Sequence, residues 1–327
     1  GLTAHLTGSV SGQAPDGIDV SLNAPDVAGL WSEAGPAAPV EVEAGAEGLP
    51  TALLDAFAAQ EGLLVDVLGP TLDLDLAGRW PDPEAPLVAR MRSTGSRVEL
   101  TARLEDGVLV AGEGQGLEAS TPLSPLYSRR VVGRLVPLLV GLSKPEGAPP
   151  VGLTVRNFRL PLDGDLRGLD ADVRLDLNQV GYQLLPGLEG LGSLAAAAAP
   201  TGRTVNVPPL DLPIRQGVVR YEALPLEIDG QSLAFRGSFD LKTLELDLAA
   251  DVPLSALGSR VARELDKVRD YIDPATPVPV QVRGTWSKPR LSIGREFLES
   301  ALEQAAEGAL RRGLEGLLRR DKDDKDG

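Results

Sequence analysis

Through most of this chain, apolar residues fall on every second position. Leu169, Ala171, Val173, Leu175 and Leu177 alternate with Asp170, Asp172, Arg174 and Asp176, and Leu244, Leu246, Leu248, Ala250 and Val252 alternate with Glu245, Asp247 and Asp251. A two-residue period sends alternate side chains to opposite faces of a strand, so each segment reads as a strand with one aliphatic and one wet face. The same phase recurs at Ala4, Leu6 and Val10, at Ile18, Val20 and Leu22, at Leu72, Leu74 and Leu76, and at Val98, Leu100, Ala102 and Leu104. It returns at Leu233, Phe235 and Phe239 and at Val278, Val280 and Val282. Gly, Pro and Asp separate the runs, as at Ala14-Pro15-Asp16-Gly17 and Glu105-Asp106-Gly107. The expected fold is mainly β: a long curled antiparallel sheet forming an apolar groove, with short helices and a C-terminal amphipathic capping helix. Such a sheet must cover its apolar face with another sheet, with helices, or with an apolar ligand.

The kind of apolar residue matters for the third option. Only five Phe, four Tyr and three Trp occur among 327 residues, so the apolar face is mostly Leu, Val and Ala. Such a smooth aliphatic lining suits acyl chains and ordinary core packing alike. The formal charge of -15 disfavours nucleic acid, which draws clustered Lys and Arg. With no Cys, thiolate metal sites, disulfides and Cys nucleophiles are excluded. The single histidine, His5, falls on the polar phase of the first strand, where a structural role outweighs general-base chemistry. The Gly-rich stretches at 112–116 and 187–192 do not match a phosphate-binding loop between strand and helix. No catalytic, cofactor-binding or metal-ligating residue is singled out, and the chain is expected not to be an enzyme.

Helices are expected at 50–59, with a stripe of Leu53, Leu54 and Phe57, at 125–139 as a broken helix, at 254–268 and at 295–319. Strands are expected at 63–67, 71–80, 86–91, 97–104, 107–111, 212–221, 224–228, 232–240, 243–252, 278–283 and 290–293. The last helix carries Phe297, Leu298, Ala301, Ala305, Leu310 and Leu314 on one side and Arg311, Arg312, Arg319 and Arg320 near its end. It can cap the sheet or lie on anionic lipid, and capping is the more common use of such a helix. The Pro- and Gly-rich stretch 145–150 is the best linker candidate, dividing a β-rich half (1–145, with two helical insertions) from a second half (146–320) and a disordered charged tail (321–327). No apolar run reaches the roughly 18 residues that span a bilayer. The chain starts in mid-pattern without Met, so a membrane anchor is expected, if present, in a missing segment.

Two segments carry a family resemblance. Ile214-Arg215-Gln216-Gly217-Val218-Val219-Arg220-Tyr221, Leu226-Glu227-Ile228 and Leu233 to Leu241, followed by Leu246-Asp247-Leu248 and Val252-Pro253-Leu254, resemble the C-terminal strand series of the AsmA-like proteins, which include the TamB-like members. Val278 to Leu291, with Gly284-Thr285-Trp286 and Pro289, is similar to the ending of the same series. The resemblance is concentrated in residues 206–320. It implies a β-groove with an aliphatic concave lining, anchored at the inner membrane of a diderm bacterium and extending into the periplasm. The implied function is binding or conduction of phospholipid acyl chains between membranes, or support of outer-membrane assembly, with no cofactor. The preferred lining is Leu233, Phe235, Phe239, Leu244, Leu246, Leu248, Val280 and Val282. Burying an acyl chain against it is worth about 0.8 kcal/mol per methylene. The rival expectation is a fully packed structural or assembly module of the cell envelope that recruits protein partners.

Overall fold

The computed structural model describes residues 2–8, 17–24, 40–80, 85–184, 205–228, 231–254, 257, 273, 275–303 and 306. The fold is mainly β, with large antiparallel pairing, a few short helices and a C-terminal helix at 295–303. Of the expected helix at 254–268 only Leu254 and Leu257, both buried, are among the described residues, and the part of the last helix that carries Arg311, Arg312, Arg319 and Arg320 lies outside them. The chain forms two compact units: Gly1–Gln183 with Thr201–Arg220 and Asp240–Lys242, and the remainder. The stretch 145–150 lies inside the first unit, with paired strands on both sides of it.

In the first unit the strands are β1 (Leu2–Gly8), β2 (Gly17–Ala24), β3 (Val40–Pro50), β4 (Thr71–Trp80), β5 (Leu87–Arg92), β6 (Arg97–Glu105), β7 (Val108–Val110), β8 (Gly116–Thr121), β9 (Leu139–Ser143), β10 (Val151–Pro161), β11 (Asp170–Asp176), β12 (Asn178–Leu184), β13 (Val205–Val207) and β14 (Leu210–Arg215). Strands β1 to β6 pair in chain order, and β10, β11 and β14 continue the sheet. Between β6 and β10 the short β7 and β8 lie end to end, each paired with both neighbours. A bulge in β10, at Asn157 (φ 48°) and Phe158, marks the change of neighbour from β8 to β7. Strands β13, β12 and β9 form a separate three-stranded sheet.

The helices of this unit gather between β3 and β4 and between β8 and β9. They are α1 (Thr51–Phe57), α2 (Leu63–Leu68), α3 (Pro125–Tyr127), a π turn (Ser128–Val132) and α4 (Gly133–Leu135). The segment 63–67, expected as a strand, is helical. Its start is built by Asp55, whose carboxylate accepts from the Gly62 amide at 2.5 Å and the Leu64 amide at 2.7 Å, while Gly62 takes φ 89°. These bonds satisfy amides that a helix start leaves without partners, an influence that period-2 counting does not register. Behind α1 and α2, Ala46, Leu49, Leu68 and Leu72 form a buried core, with Leu54, Leu64, Val67, Leu74, Met91 and Val98 packed against it.

The expected strand 212–221 is two strands. Gln216 (φ 53°) and Gly217 (φ 75°) turn the chain between β14 and β15 (Val218–Ile228), a pair of left-handed residues that suits a tight hairpin. Strand β15 begins in the first unit at 218–220 and continues in the second. There β16 (Gln231–Asp240), β17 (Glu245–Pro253), β18 (Pro277–Thr285) and β19 (Lys288–Ile293) follow in sequence order, and α5 (295–303) follows β19.

Candidate functional site

Register, rather than any polar constellation, defines the candidate site. In the first unit Ala44, Leu76, Ala89, Leu100, Leu117, Val155, Val173 and Leu212 stand directly opposite one another on successive strands from β3 to β14, passing through β8. A parallel row runs Ala46, Leu74, Met91, Val98, Ala119, Leu153, Leu175 and Leu210. Neither row contains a polar residue. Directly opposed residues share a face, so the two rows form a continuous apolar band over eight strands, roughly 34 Å along the sheet at about 4.8 Å per strand. The backbone register extends the first row to Val20 on β2 and Leu6 on β1.

The residues between these rows read Gly45, Asp75, Arg90, Glu99, Glu118, Thr154, Arg174 and Asp211. One register step thus changes the lining completely, which is why strand pairing here is strongly specified. Cross-strand ion pairs lace this wet face: Arg90 to Glu99 at 3.2 Å, Arg174 to Asp211 at 2.9 Å and Arg156 to Glu118 at 3.6 Å. Exposed pairs of this kind are each worth at most about 1 kcal/mol, and their service is to keep the wet face wet. The hydrogen bond from Arg90 holds the Glu99 carboxyl below its ordinary range, and the bonds from Asn157 and then Arg215 do the same for Asp172. A cleft of about 510 Å³ also opens here, lined by residues 112–118 with Glu99, Thr101, Val155, Arg156 and Asn157. Among the described residues no group of three His, Asp or Glu is placed to hold a metal ion.

Burial divides the apolar band. Val173, Leu175, Leu210 and Leu212 are buried at one end and Ala46 at the other. Between them Leu76, Ala89, Leu100, Leu117, Ala119, Leu153 and Val155 are only half-buried. Leu74, Met91 and Val98 have the α1–α2 core beside them.

In the second unit the expected lining residues are brought together, with one exception. Phe239 pairs with Leu246, and Leu248 with Val282, while Ala250 opposes Val280, which in turn opposes Ile293. Leu233 and Phe235 share the phase of Phe239 on β16. Leu233, Phe235, Phe239, Leu246, Leu248, Val280 and Val282 are all buried, at 3% exposure or less. Leu244 differs: it precedes β17 in the turn after β16, at φ 58° and half-buried. Its carbonyl accepts from the Trp286 amide, so it closes an end of the β17–β18 pair rather than joining the strand.

Of the half-buried residues of the first unit, alternation marks Leu76 and Leu100 as apolar positions but assigns them no place in a lining. Strand β8 was not anticipated at all, although Leu117, Ala119 and Thr121 carry the same alternation. His5 is opposite Ser21 in the β1–β2 register. No described helix is long and apolar enough to cross a membrane. Comparison with protein-family models, with curated proteins and with solved structures returned no match to this chain.

Proposed function

We propose that this chain is a noncatalytic carrier of phospholipid acyl chains, with the aliphatic band of the first unit as the path. The observation that carries the reading is the run of half-buried Leu76, Ala89, Leu100, Leu117 and Val155 on five consecutive strands, unbroken by a polar group. An acyl chain laid along such a run exchanges water for aliphatic contact at about 0.8 kcal/mol per methylene, while its headgroup stays in solvent. The residue types agree, since nothing in the band can transfer a proton or attack a bond. Together with the AsmA-like resemblance, this favours a curled groove in the periplasm or envelope of a diderm bacterium, inner-membrane anchored in the full-length protein and serving lipid transport or outer-membrane assembly.

The second unit supports a different role. Seven of its eight proposed lining residues are buried at 3% exposure or less, which favours a packed core there and a structural or assembly part recruiting envelope partners.

Native mass spectrometry of the purified chain, with lipid extraction, tests the proposal. Copurified phospholipid that is lost in Leu100→Asp, with the fold retained, is the expected result. Absence of lipid from the unmodified chain after incubation with phospholipid vesicles would overturn it in favour of the packed module.

A further inference from the structure

Among the described residues the large apolar side chains left exposed are Leu53, Phe57, Leu162 and Leu302, and two of the four sit together at the tip of α1. Leu53 and Phe57 lie four residues apart on one side of the helix and are 49% and 93% exposed, while Leu54 turns inward to the core beneath. Ala56, Ala58 and Ala59 are exposed around them. A phenyl ring left almost wholly in water is uncommon, and here it shares a patch with leucine and three alanines.

The patch is held firmly. The Ala58 amide donates to the Leu54 carbonyl at 2.8 Å and the Gln60 amide to the Asp55 carbonyl at 3.0 Å, and Asp55 itself caps the start of α2. From the π turn, Arg130 donates to the Gln60 carbonyl at 2.9 Å and to the Glu61 carboxylate at 2.5 Å. That contact brings the arginine-bearing segment against the tip. Arg129 and Arg134 are exposed, and neither has an ion-pair partner among the described residues. The β5–β6 turn joins the same end, through a hydrogen bond from the Ser96 hydroxyl to the Val67 carbonyl at 2.5 Å. Residues 51–70, 92–97 and 122–138 hold five arginines and Asp55, Glu61 and Asp66, and two of the arginines have acidic partners just outside these stretches: Arg97 pairs with Glu99 at 3.3 Å and Arg92 stands opposite Asp73. Of these carboxylates, Asp55 is spent on backbone amides, Glu61 on Arg130, and Asp66 on the Ser124 hydroxyl and the Tyr127 amide. What this end offers a negative surface is therefore Arg129 and Arg134, two exposed guanidinium groups without ion-pair partners among the described residues, on a chain of formal charge -15.

We infer that the Leu53–Phe57 tip, with Arg129 and Arg134 behind it, is a contact for an anionic phospholipid bilayer: the phenyl and leucine enter the headgroup–acyl boundary while the arginines meet lipid phosphates. The inference does not depend on the acyl path along the sheet.

Vesicle flotation of the full chain tests it, using phosphatidylcholine alone and an equal mixture with phosphatidylglycerol. The chain floats with the mixed vesicles and not with phosphatidylcholine alone. Phe57→Ser lowers the bound fraction about tenfold and Arg129→Gln/Arg134→Gln at least about fivefold, both with unchanged far-UV circular dichroism. The added indole of Phe57→Trp shifts its emission to the blue on mixed vesicles, read as a difference from the unmodified chain. Failure of the unmodified chain to float, equal flotation of these variants, or an unshifted Phe57→Trp signal on floating protein would overturn the assignment. So would concentration-dependent self-association that Phe57→Ser abolishes without any flotation, which gives the tip to a second copy of the chain. Lipid that copurifies with the chain but leaves flotation absent separates failure of this contact from failure of the acyl path.

Discussion

Gly237 on β16 passes so close to Asp247 on β17 that a Cβ at Gly237 would stand 2.1 Å from the Asp247 carbonyl oxygen. The backbone there has φ 136°, open to glycine and closed to nearly every other residue. Gly237→Ala is therefore expected to destabilise the protein by at least about 2 kcal/mol, through both the clash and the dihedral. Gly114→Ala is the control: φ is 72° but nothing lies within 4 Å of its Cβ, and the loss should stay near 1 kcal/mol. Urea unfolding of the two variants checks the difference.

The aliphatic band predicts a contrast between half-buried and buried positions. Leu248, at 1% exposure, has no route to water, and Leu248→Asp should cost more than about 4 kcal/mol or abolish folding. Leu100 is half-buried, so Leu100→Asp should be tolerated at about 1–2 kcal/mol. Thermal unfolding followed by circular dichroism ranks the pair, and a Leu100→Asp chain that fails to fold would contradict the partial exposure.

Asp55 is buried and caps α2 across the α1–α2 turn. Asp55→Ala strands the Gly62 and Leu64 amides and should lose about 1–3 kcal/mol, while Asp55→Asn, which keeps one acceptor oxygen, loses less. Hydrogen exchange at these two amides is the specific readout, since it should accelerate in Asp55→Ala ahead of the amides of β10 and β11.

Asp172 gives the acid side of stability a local contribution. Its carboxyl is held below the ordinary aspartate range, first by the Asn157 amide and then by Arg215. A carboxyl depressed in the folded state adds stability that is fully present above the unfolded value and is lost as pH falls through the folded one. Arg215→Gln should raise the Asp172 value and shift that loss to higher pH, with no change at neutral pH beyond the pair itself. Carboxyl NMR titration measures the shift; because the pair is largely exposed, raised salt should shrink it.

Much of the sheet was legible because each strand carries its own face code. Thr71 to Trp80 and the Asp106-Gly107 turn stand where alternation and glycine place them. Three departures have separate physical causes. At 63–67 a run of Leu and Val meets a remote carboxylate that caps it into a helix, and alternation carries no record of Asp55. At Gln216 a hairpin turns on a non-glycine residue with positive φ, so half of the turn signal is missing from the sequence. Leu244 keeps perfect phase with Leu246, yet its φ of 58° removes it from the strand. The candidate band was only half legible, since alternation identifies a face but not the order of neighbours. Leu100 meets Leu117 because β8 reaches β6 past β7, a pairing that depends on the 111–115 connection rather than on either strand.

The directly opposed rows imply a modular way of changing size. Each antiparallel hairpin brings its own Leu, Val or Ala to the band and its own charges to the other side, so duplicating or deleting one hairpin preserves the phase of every strand beyond it. The band would lengthen or shorten in steps of about 10 Å, two strand widths, without redesign of any neighbour. Chains of this kind could be fitted to gaps of different breadth by copying alone.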